Sequence, residues 1–243
     1  MEEIKIKGIV FNSRDYKEKD KLVEIFSLEQ GKIFASLKGC KMPTSKLKFA
    51  YQPFCFAEFI LHKTGENYVI TNANLIESFF DITTNTVSYI NGSLILEIAN
   101  NCCYGEENNS IIFVNLLKSL KTICYLEVNS STVLIKFCLE MLANLGYKLS
   151  FKNCSSCKLP ISYEKFLCLD SGEFLCENCA TLNSVKISNA GFSSLRIINE
   201  TDYDRLGSLK ISENILKELS IILCENLENR FGKALKGKSF LLV

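Results

Sequence analysis

The first part of the chain, to about residue 80, alternates apolar and polar side chains in short runs, the pattern of half-buried β-strands. Such runs lie at 4–7, 21–26, 32–37 and 68–71, and a nearly continuous apolar run at 54–61 is compatible with a central strand. Five short strands in so small a segment predict a closed β-barrel, because closure removes the exposed edges of a sheet. An SH3-like barrel or a small sandwich fits the same pattern.

The period of the apolar positions changes near residue 81, and from there it is that of α-helices. Apolar side chains recur at every third or fourth position through 87–98, 112–123 and 133–145, which predicts three helices, the third ending at Gly146. Ser188 and Ser212 are suited to cap two further helices. A polar stretch at 106–109 predicts a loop. The sequence therefore predicts an α+β fold, with a β-barrel domain at 1–80 and an α-helical domain at 81–243.

Four cysteines in two C-x-x-C pairs carry the clearest chemical signal. Cys154 and Cys157 form the first pair, Cys176 and Cys179 form the second, and 18 residues separate the pairs. This spacing is typical of a zinc site in which four thiolates surround one ion tetrahedrally. Such a site leaves no open coordination position for water, so we expect one structural Zn²⁺ per chain.

The segment between the two pairs has the pattern of a hairpin that can bring them together. Strands expected at 166–169 and 173–175 flank a turn in which Gly172 can take a positive φ. We therefore expect a zinc module at 151–182, inserted in the helical domain. Two disulfides or four unrelated thiols are the alternative. Cys168, which lies between the pairs, is also able to replace one of the ligands.

The cellular compartment is expected to be reducing. The first residues lack the apolar stretch of a secretory signal, and no apolar run reaches the roughly 18 residues of a membrane helix. We therefore expect a cytoplasmic protein without a membrane partner, in which thiols stay reduced. The eight cysteines outside the two pairs lie mostly in apolar stretches and are expected to act as small core residues.

The formal net charge of +1 gives no indication of nucleic-acid binding, but the charges are unevenly distributed. Five lysines and no acidic residue lie at 30–57. A second acid-free cluster near the C-terminus contains Arg230, Lys233, Lys236 and Lys238. Clusters of this kind indicate either a nucleic-acid surface or an ordinary solvated face.

The sequence offers little for catalysis. Its single histidine, His62, would have to carry any Ser/His/Asp or Cys/His mechanism, and it lies at the end of an apolar strand. Thr64 stands where a zinc deaminase needs a glutamate. Gly31-Lys32 lacks the other residues of a phosphate-binding P-loop. We therefore expect a protein that is not an enzyme.

Short segments spread over the whole chain match a known family in their order and spacing. They are 7–10 (KGIV), 14–23 (RDYKEKDKLV), 31–33 (GKI), 38–39 (KG), 52–54 (QPF), 75–79 (LIESF), 145–147 (LGY), the two cysteine pairs and 230–241 (RFGKALKGKSFL). Together these segments resemble the RecO family of bacterial DNA repair proteins.

The resemblance implies an N-terminal OB-fold, a helical C-terminal domain and, in many members, a zinc module with four cysteine ligands. It also implies a recombination mediator that binds single- and double-stranded DNA and anneals complementary strands. Together with RecR, such a protein helps to load RecA onto DNA that is coated by single-strand-binding protein. Its expected location is the cytoplasm, in association with the nucleoid.

An OB barrel binds a single strand with a basic groove and stacking aromatic rings, so the expected DNA site lies on the barrel. The candidate phosphate contacts are Arg14, Lys17, Lys19, Lys21, Lys38, Lys41, Lys46 and Lys48. Lysine suits annealing because its flexible point charge neutralises phosphates and leaves the base edges free to pair. An ordinary solvated surface explains each residue equally well.

The resemblance further implies that the helical domain binds the acidic, Phe-ending C-terminal tail of single-strand-binding protein. Such a tail needs an apolar pocket for its ring and a cation for its carboxylate. The helix expected at 132–145 offers an apolar stripe with Phe137, Met141 and Leu145, and one basic residue, Lys136. Alternatively, the stripe faces an ordinary core.

Two other classes of function remain open. One is a protein-interaction scaffold, which the low net charge favours and the acid-free stretch at 30–57 opposes. The other is an RNA-binding zinc-ribbon protein, which would need a basic ribbon. The segment between the cysteine pairs instead sets two lysines against Glu164, Asp170 and Glu173.

Overall fold

The computed structural model describes residues 3–65, 67–103, 109–161 and 164–242. The chain divides into a barrel unit, Met1–Thr84 with Cys103–Val114, and a helical unit, Asn85–Cys102 with Asn115–Val243. Of the loop expected at 106–109, residues 106–108 lie outside the described residues. Within the described ranges, no helix combines the length and the apolar character needed to cross a membrane.

Five strands form the barrel, close to the positions that the alternation predicts. They are β1 (Glu3–Asp15), β2 (Lys21–Ser27), β3 (Gly31–Leu37), β4 (Cys55–Thr64) and β5 (Asn67–Ser78). They close in the order β1-β2-β3-β5-β4. Neighbouring strands are antiparallel except β3 and β5, which run parallel. The structure therefore has the OB-fold barrel rather than the sandwich.

The barrel core consists of the inward-facing residue at every second position of each strand. Fully or almost fully buried core residues include Ile6, Val23, Ile25, Ile33, Ala35 and Phe59. A bulge between Val10 and Asn12 interrupts the register of β1 with β2, and bulges bend a strand so that a sheet can close. Gly8 is required in β1, because a Cβ there would lie 2.4 Å from Cγ2 of Ile25.

An aromatic cluster explains why Cys103–Val114 belongs to the barrel unit. The ring of Phe113 meets Phe26 edge-on at 5.4 Å and Phe56 at 6.0 Å between centroids. Phe26 in turn stacks on Phe11 at 5.2 Å. Aromatic pairs at these separations add stability beyond the burial of their surface.

The helical unit contains the helices that the period predicts. They are α1 (Thr86–Cys102), α2 (Asn109–Tyr125, which begins in the barrel unit), α3 (Ser130–Asn144), α4 (Asn189–Glu200) and α5 (Glu213–Phe231). The hydroxyl of Ser188 accepts a hydrogen bond from the N–H of Gly191 at 2.9 Å, so it caps α4 as expected. Ser212 occupies the cap position of α5 but makes no capping side-chain bond.

Helix α3 lies at the centre of this unit and packs against α1, α4 and α5. A 3-10 helix, Lys236–Leu242, follows α5 and returns to α1. There the carboxylate of Glu97 accepts the backbone N–H groups of Lys236 and Gly237, at 2.8 and 3.1 Å. The end of the described chain is thereby fixed to α1.

Between α3 and α4 the chain forms a small antiparallel sheet. Its strands are β6 (Lys165–Cys168), β7 (Phe174–Cys176) and β8 (Ser184–Ile187), in the order β7-β6-β8. The hairpin of β6 and β7 is the predicted one, and Gly172 in its turn has a φ of 69°. Strand β8 is an addition that the sequence did not predict. The fold class is confirmed: an OB-fold barrel, then helices with an inserted four-cysteine hairpin.

Candidate metal centre and nucleic-acid interface

The two cysteine pairs meet at one end of the small sheet. The sulfur atoms of Cys154, Cys157, Cys176 and Cys179 all lie within 4.8 Å of one another, and those of Cys157 and Cys176 are 3.8 Å apart. Two thiolates about 2.3 Å from one tetrahedral ion would lie about 3.8 Å apart, so the cluster has the dimensions of a metal site. The four cysteines could hold one metal ion, and an all-sulfur tetrahedral set suits zinc or iron.

Tight backbone turns bring the thiols of each pair to the same side. The N–H of Lys158 donates to the carbonyl oxygen of Cys154 at 2.9 Å, and the N–H of Cys179 closes a similar turn across the second pair at 3.1 Å. The N–H of Ser155 donates to the carbonyl oxygen of Phe174 at 3.0 Å, which joins the first pair to β7. The hairpin therefore positions all four sulfurs through backbone contacts.

The pKa values of two of the four thiols are shifted, in opposite directions. Burial raises the pKa of Cys154, but the backbone N–H groups of Cys157, Cys176 and Ser156 outweigh it and lower that pKa to about 6. At Cys179 the Ser156 hydroxyl lowers the pKa, while the neighbouring cysteine side chains, first that of Cys176, raise it to about 11. Four thiolates so close together repel one another, and a coordinated cation is what allows all four to ionise.

Cys168 is not part of this cluster. Its buried sulfur lies 3.9 Å from the hydroxyl of Thr181 and packs with Cys154 and Leu175 in a small apolar core. In the described part of the chain, the metal-binding group contains only the four cysteines of the two pairs. These four are free thiols, as Cys168 is. The arrangement therefore fits neither a substitution of a ligand by Cys168 nor two disulfides.

On the barrel, two loops that are distant in sequence lie side by side. The first joins β1 to β2, and the second follows β3. The backbone N–H of Gly39 donates to the carboxylate of Asp20 at 2.8 Å, and that of Lys41 donates to the carbonyl oxygen of Lys19 at 3.2 Å. These contacts fix the loops to each other. We call residues 14–21 and 38–48 together the loop cluster.

All eight predicted phosphate contacts belong to the loop cluster. Lys21 is half-buried and the other seven are exposed: Arg14, Lys17, Lys19, Lys38, Lys41, Lys46 and Lys48. Lys21 and Lys41 are ion-paired. Among the described residues, the remaining six make no ion pair. Their ammonium and guanidinium groups are accessible to a polyanion.

Asp15 is a member of the loop cluster that the sequence reasoning missed. Its carboxylate lies 3.0 Å from the ammonium groups of both Lys21 and Lys41. The hydrogen bonds from these lysines, Lys21 first, lower the pKa of Asp15 below its ordinary value of 3.8. A sequence signal exists, because Asp15 and Lys21 flank a short loop and pair directly across β1 and β2, where opposite charges attract.

The stripe expected to bind a partner's tail is corrected by the structure. Phe137 and Met141 have no exposed surface, and Lys136 is only 5% exposed. The ammonium group of Lys136 donates to the carbonyl oxygen of Asn199 at 2.9 Å and pairs with Glu140 at 2.9 Å. Because α1, α4 and α5 pack around α3, this stripe is core and offers no pocket.

The C-terminal basic cluster is also partly engaged inside the helical unit. Arg230 donates to the carbonyl oxygens of Leu169 and Asp170 in the hairpin turn. Lys238 pairs with Glu228 and Glu225. Burial lowers the pKa of Lys238, but these carboxylates, Glu228 first, outweigh it and raise that pKa. The loop cluster is therefore the more accessible of the two basic regions.

Comparison with known proteins gives a consistent result over nearly the whole chain. A family model described as the N-terminal part of recombination protein O matches residues 1–79, and one described as its C-terminal part matches residues 84–239. The chain is 33% identical over 240 residues to the DNA repair protein RecO of Caldicellulosiruptor saccharolyticus, covering 99% of this chain and 98% of that protein. It is 30% identical over 241 residues to the DNA repair protein RecO of Clostridium perfringens, covering 96% of each.

Proposed function

The chain belongs to the RecO family of DNA repair proteins, which are recombination mediators, and from that membership we propose its individual steps. It binds single- and double-stranded DNA, anneals complementary strands and, together with RecR, helps to load RecA onto DNA coated by single-strand-binding protein. It works by binding and not by catalysis. Its place of action is then the cytoplasm, at the nucleoid.

The observation that supports DNA binding most directly is the loop cluster. Two hydrogen-bonded loops bring six unpaired cationic side chains into one region of an OB barrel. Such a region attracts phosphates of any sequence, and its affinity falls steeply with salt because bound counterions are released. Contacts restricted to phosphates leave base edges free, as strand annealing requires.

For the four-cysteine cluster we propose one structural Zn²⁺. Four sulfur donors with a separation that fits tetrahedral geometry support zinc, and the reducing cytoplasm keeps the donors as thiols. Metal binding would stabilise the hairpin, because the small sheet has only a minor apolar core around Cys154, Cys168 and Leu175.

For the tail of single-strand-binding protein we propose a different surface from α3. A cavity of about 540 Å³ in the helical unit is lined by Tyr125, Leu126 and Tyr203 and by two lysines, Lys118 and Lys121. It combines the apolar wall and the cations that a Phe-ending acidic tail needs. Two aspartates also line the cavity, so the tail's carboxylate would have to contact the lysines and not the aspartates.

A strand-annealing assay tests this function. Two complementary oligonucleotides, one carrying a fluorophore and the other a quencher, are mixed with the purified protein before and after removal of its metal by a chelator. We expect the native protein to accelerate annealing and the metal-free protein to lose part of this effect through loss of fold. Annealing at the spontaneous rate with the native protein would contradict the proposal.

A further inference from the structure

Tyr16 is the aromatic residue of the loop cluster that points into solvent. The residue is 56% exposed, although an exposed aromatic side chain forgoes the stability that burial would bring. Two other exposed rings in the described barrel unit, those of Phe34 and Phe80, lie in β3 and in the 3-10 helix Phe80–Thr84. Tyr16 therefore combines an accessible ring with a place among the unpaired cations.

The backbone beneath this ring is well defined. The N–H of Tyr16 donates to the carbonyl oxygen of Asp20 at 3.2 Å, and the N–H of Asp20 donates to that of Lys17 at 3.3 Å. The carboxylate of Asp20 also accepts the N–H of Gly39 from the second loop. The backbone that carries the ring is therefore fixed by hydrogen bonds within the loop and to the second loop, so little ordering of the backbone is needed when a ligand contacts the ring.

Positive charge lies close to the ring. The ammonium group of Lys17 lies 5.5 Å from the ring centroid, a cation–π distance. On the other side along the chain, Asp15 orders Lys21 and Lys41 at 3.0 Å each. An exposed π-face next to cationic side chains is the combination with which proteins bind single-stranded nucleic acid.

We propose that Tyr16 is a stacking platform for an unpaired base of single-stranded DNA, while the lysines of the loop cluster bind the neighbouring phosphates. This role rests on the proposed DNA-binding function and adds selectivity to it. In a duplex the bases are already stacked on one another, so Tyr16 contributes only to single-strand binding. The lysines contribute to both. Tyr16 thereby gives the site its preference for single strands.

The absence of tryptophan from this sequence allows a direct test. The Tyr16→Trp variant carries one tryptophan at the proposed platform. The Tyr89→Trp variant is its control, because Tyr89 is similarly exposed, at 48%, and lies in the helical unit. On titration with oligo(dT) of about 20 nucleotides, longer than the site of one OB-fold, stacking should quench the tryptophan at position 16 and leave the control unchanged.

Two further variants separate stacking from charge. Tyr16→Ala should lose roughly tenfold in affinity for oligo(dT), within the range known for one stacked base, with no change for a duplex of the same length. Tyr16→Phe should bind like the wild type. An unquenched Tyr16→Trp, or equal losses for single strand and duplex in Tyr16→Ala, would overturn the stacking role and leave DNA binding intact. If the wild type bound neither the single strand nor the duplex, the stacking role and the proposed DNA-binding function would both be wrong.

Discussion

Arg230, in the last turn of α5, lies over the ring of Tyr147, with 4.1 Å between the guanidinium carbon and the ring centroid. The same guanidinium donates to the carbonyl oxygens of Leu169, at 3.2 Å, and Asp170. It approaches so closely that a Cβ at Gly172 would lie 2.8 Å from its Nη2 atom. Arg230 thus connects α5, the chain after α3 and the turn of the four-cysteine hairpin.

We predict that Arg230→Ala destabilises the hairpin, because two carbonyl oxygens lose a charged donor. A hydrogen bond from a charged group contributes about 2 kcal/mol, so a lower midpoint of thermal unfolding and faster release of metal to a colorimetric chelator are expected. Lys233→Ala is the matched control, since Lys233 is an exposed basic residue just beyond the same helix. Equal behaviour of the two variants would show that Arg230 has no structural role.

The metal centre gives a second prediction. Cys157→Ser removes one of the four sulfurs, so the variant should contain less than one metal per chain, and its hairpin should be digested faster by protease. Elemental analysis of protein purified without chelators measures the metal directly. Cys124→Ser, a partly exposed cysteine outside the cluster, should retain full occupancy. A wild-type protein with no metal at all would refute the site.

A third prediction concerns Asp15, whose carboxylate occupies two lysines that a phosphate could bind. Asp15→Asn should free Lys21 and Lys41 and tighten DNA binding at low salt by less than about tenfold, since exposed ion pairs are weak. Glu18→Gln removes the same charge from the same loop, without a known ion pair, and should have a smaller effect. Weaker binding by Asp15→Asn would indicate that the carboxylate is needed to order the loops.

The pH dependence of the Asp15 ion pairs follows from the direction in which the pKa of Asp15 is shifted. Because the lysines lower the pKa of Asp15, the ion pairs are present above the ordinary value of 3.8 and are lost only as the pH falls through the lowered value. The difference in DNA affinity between the wild type and Asp15→Asn should therefore stay constant at neutral and mildly acidic pH. A difference that already vanished near neutral pH would point to another titrating group.

Periodicity and spacing predict the elements well, because they report local constraints. The alternation from Lys21 to Phe26 marks β2, and the two cysteine pairs mark the hairpin. Periodicity and spacing do not show which face of a helix or strand packs against other elements. The stripe with Phe137 and Met141 suggested a binding pocket, yet three helices surround α3 and bury even Lys136.

The ion pair between Asp15 and Lys41 could not be predicted by counting charges along the sequence. The stretch at 30–57 is acid-free in sequence, but folding places Asp15 against Lys41. The distance between these two residues along the chain hides a contact of 3.0 Å. The hydrogen bonds between the two loops hold these residues together.

DNA binding by the unpaired cations of the loop cluster is the proposal on which the others depend. It is tested by the salt dependence of fluorescence anisotropy with labelled oligo(dT) for two triple variants of the full chain. Replacement of Lys19, Lys38 and Lys46 by Glu removes three unpaired cations of the cluster. Replacement of Lys5, Lys7 and Lys63 by Glu makes the same change of charge at exposed positions elsewhere on the barrel.

We expect the loop-cluster triple variant to lose most of its affinity for DNA, and the slope of log K against log salt to fall by about 2 for three lost phosphate contacts. The control triple variant should keep a slope close to that of the wild type. Equal losses of affinity and slope in both variants would contradict a localised site, and normal binding by the loop-cluster variant would place the DNA elsewhere.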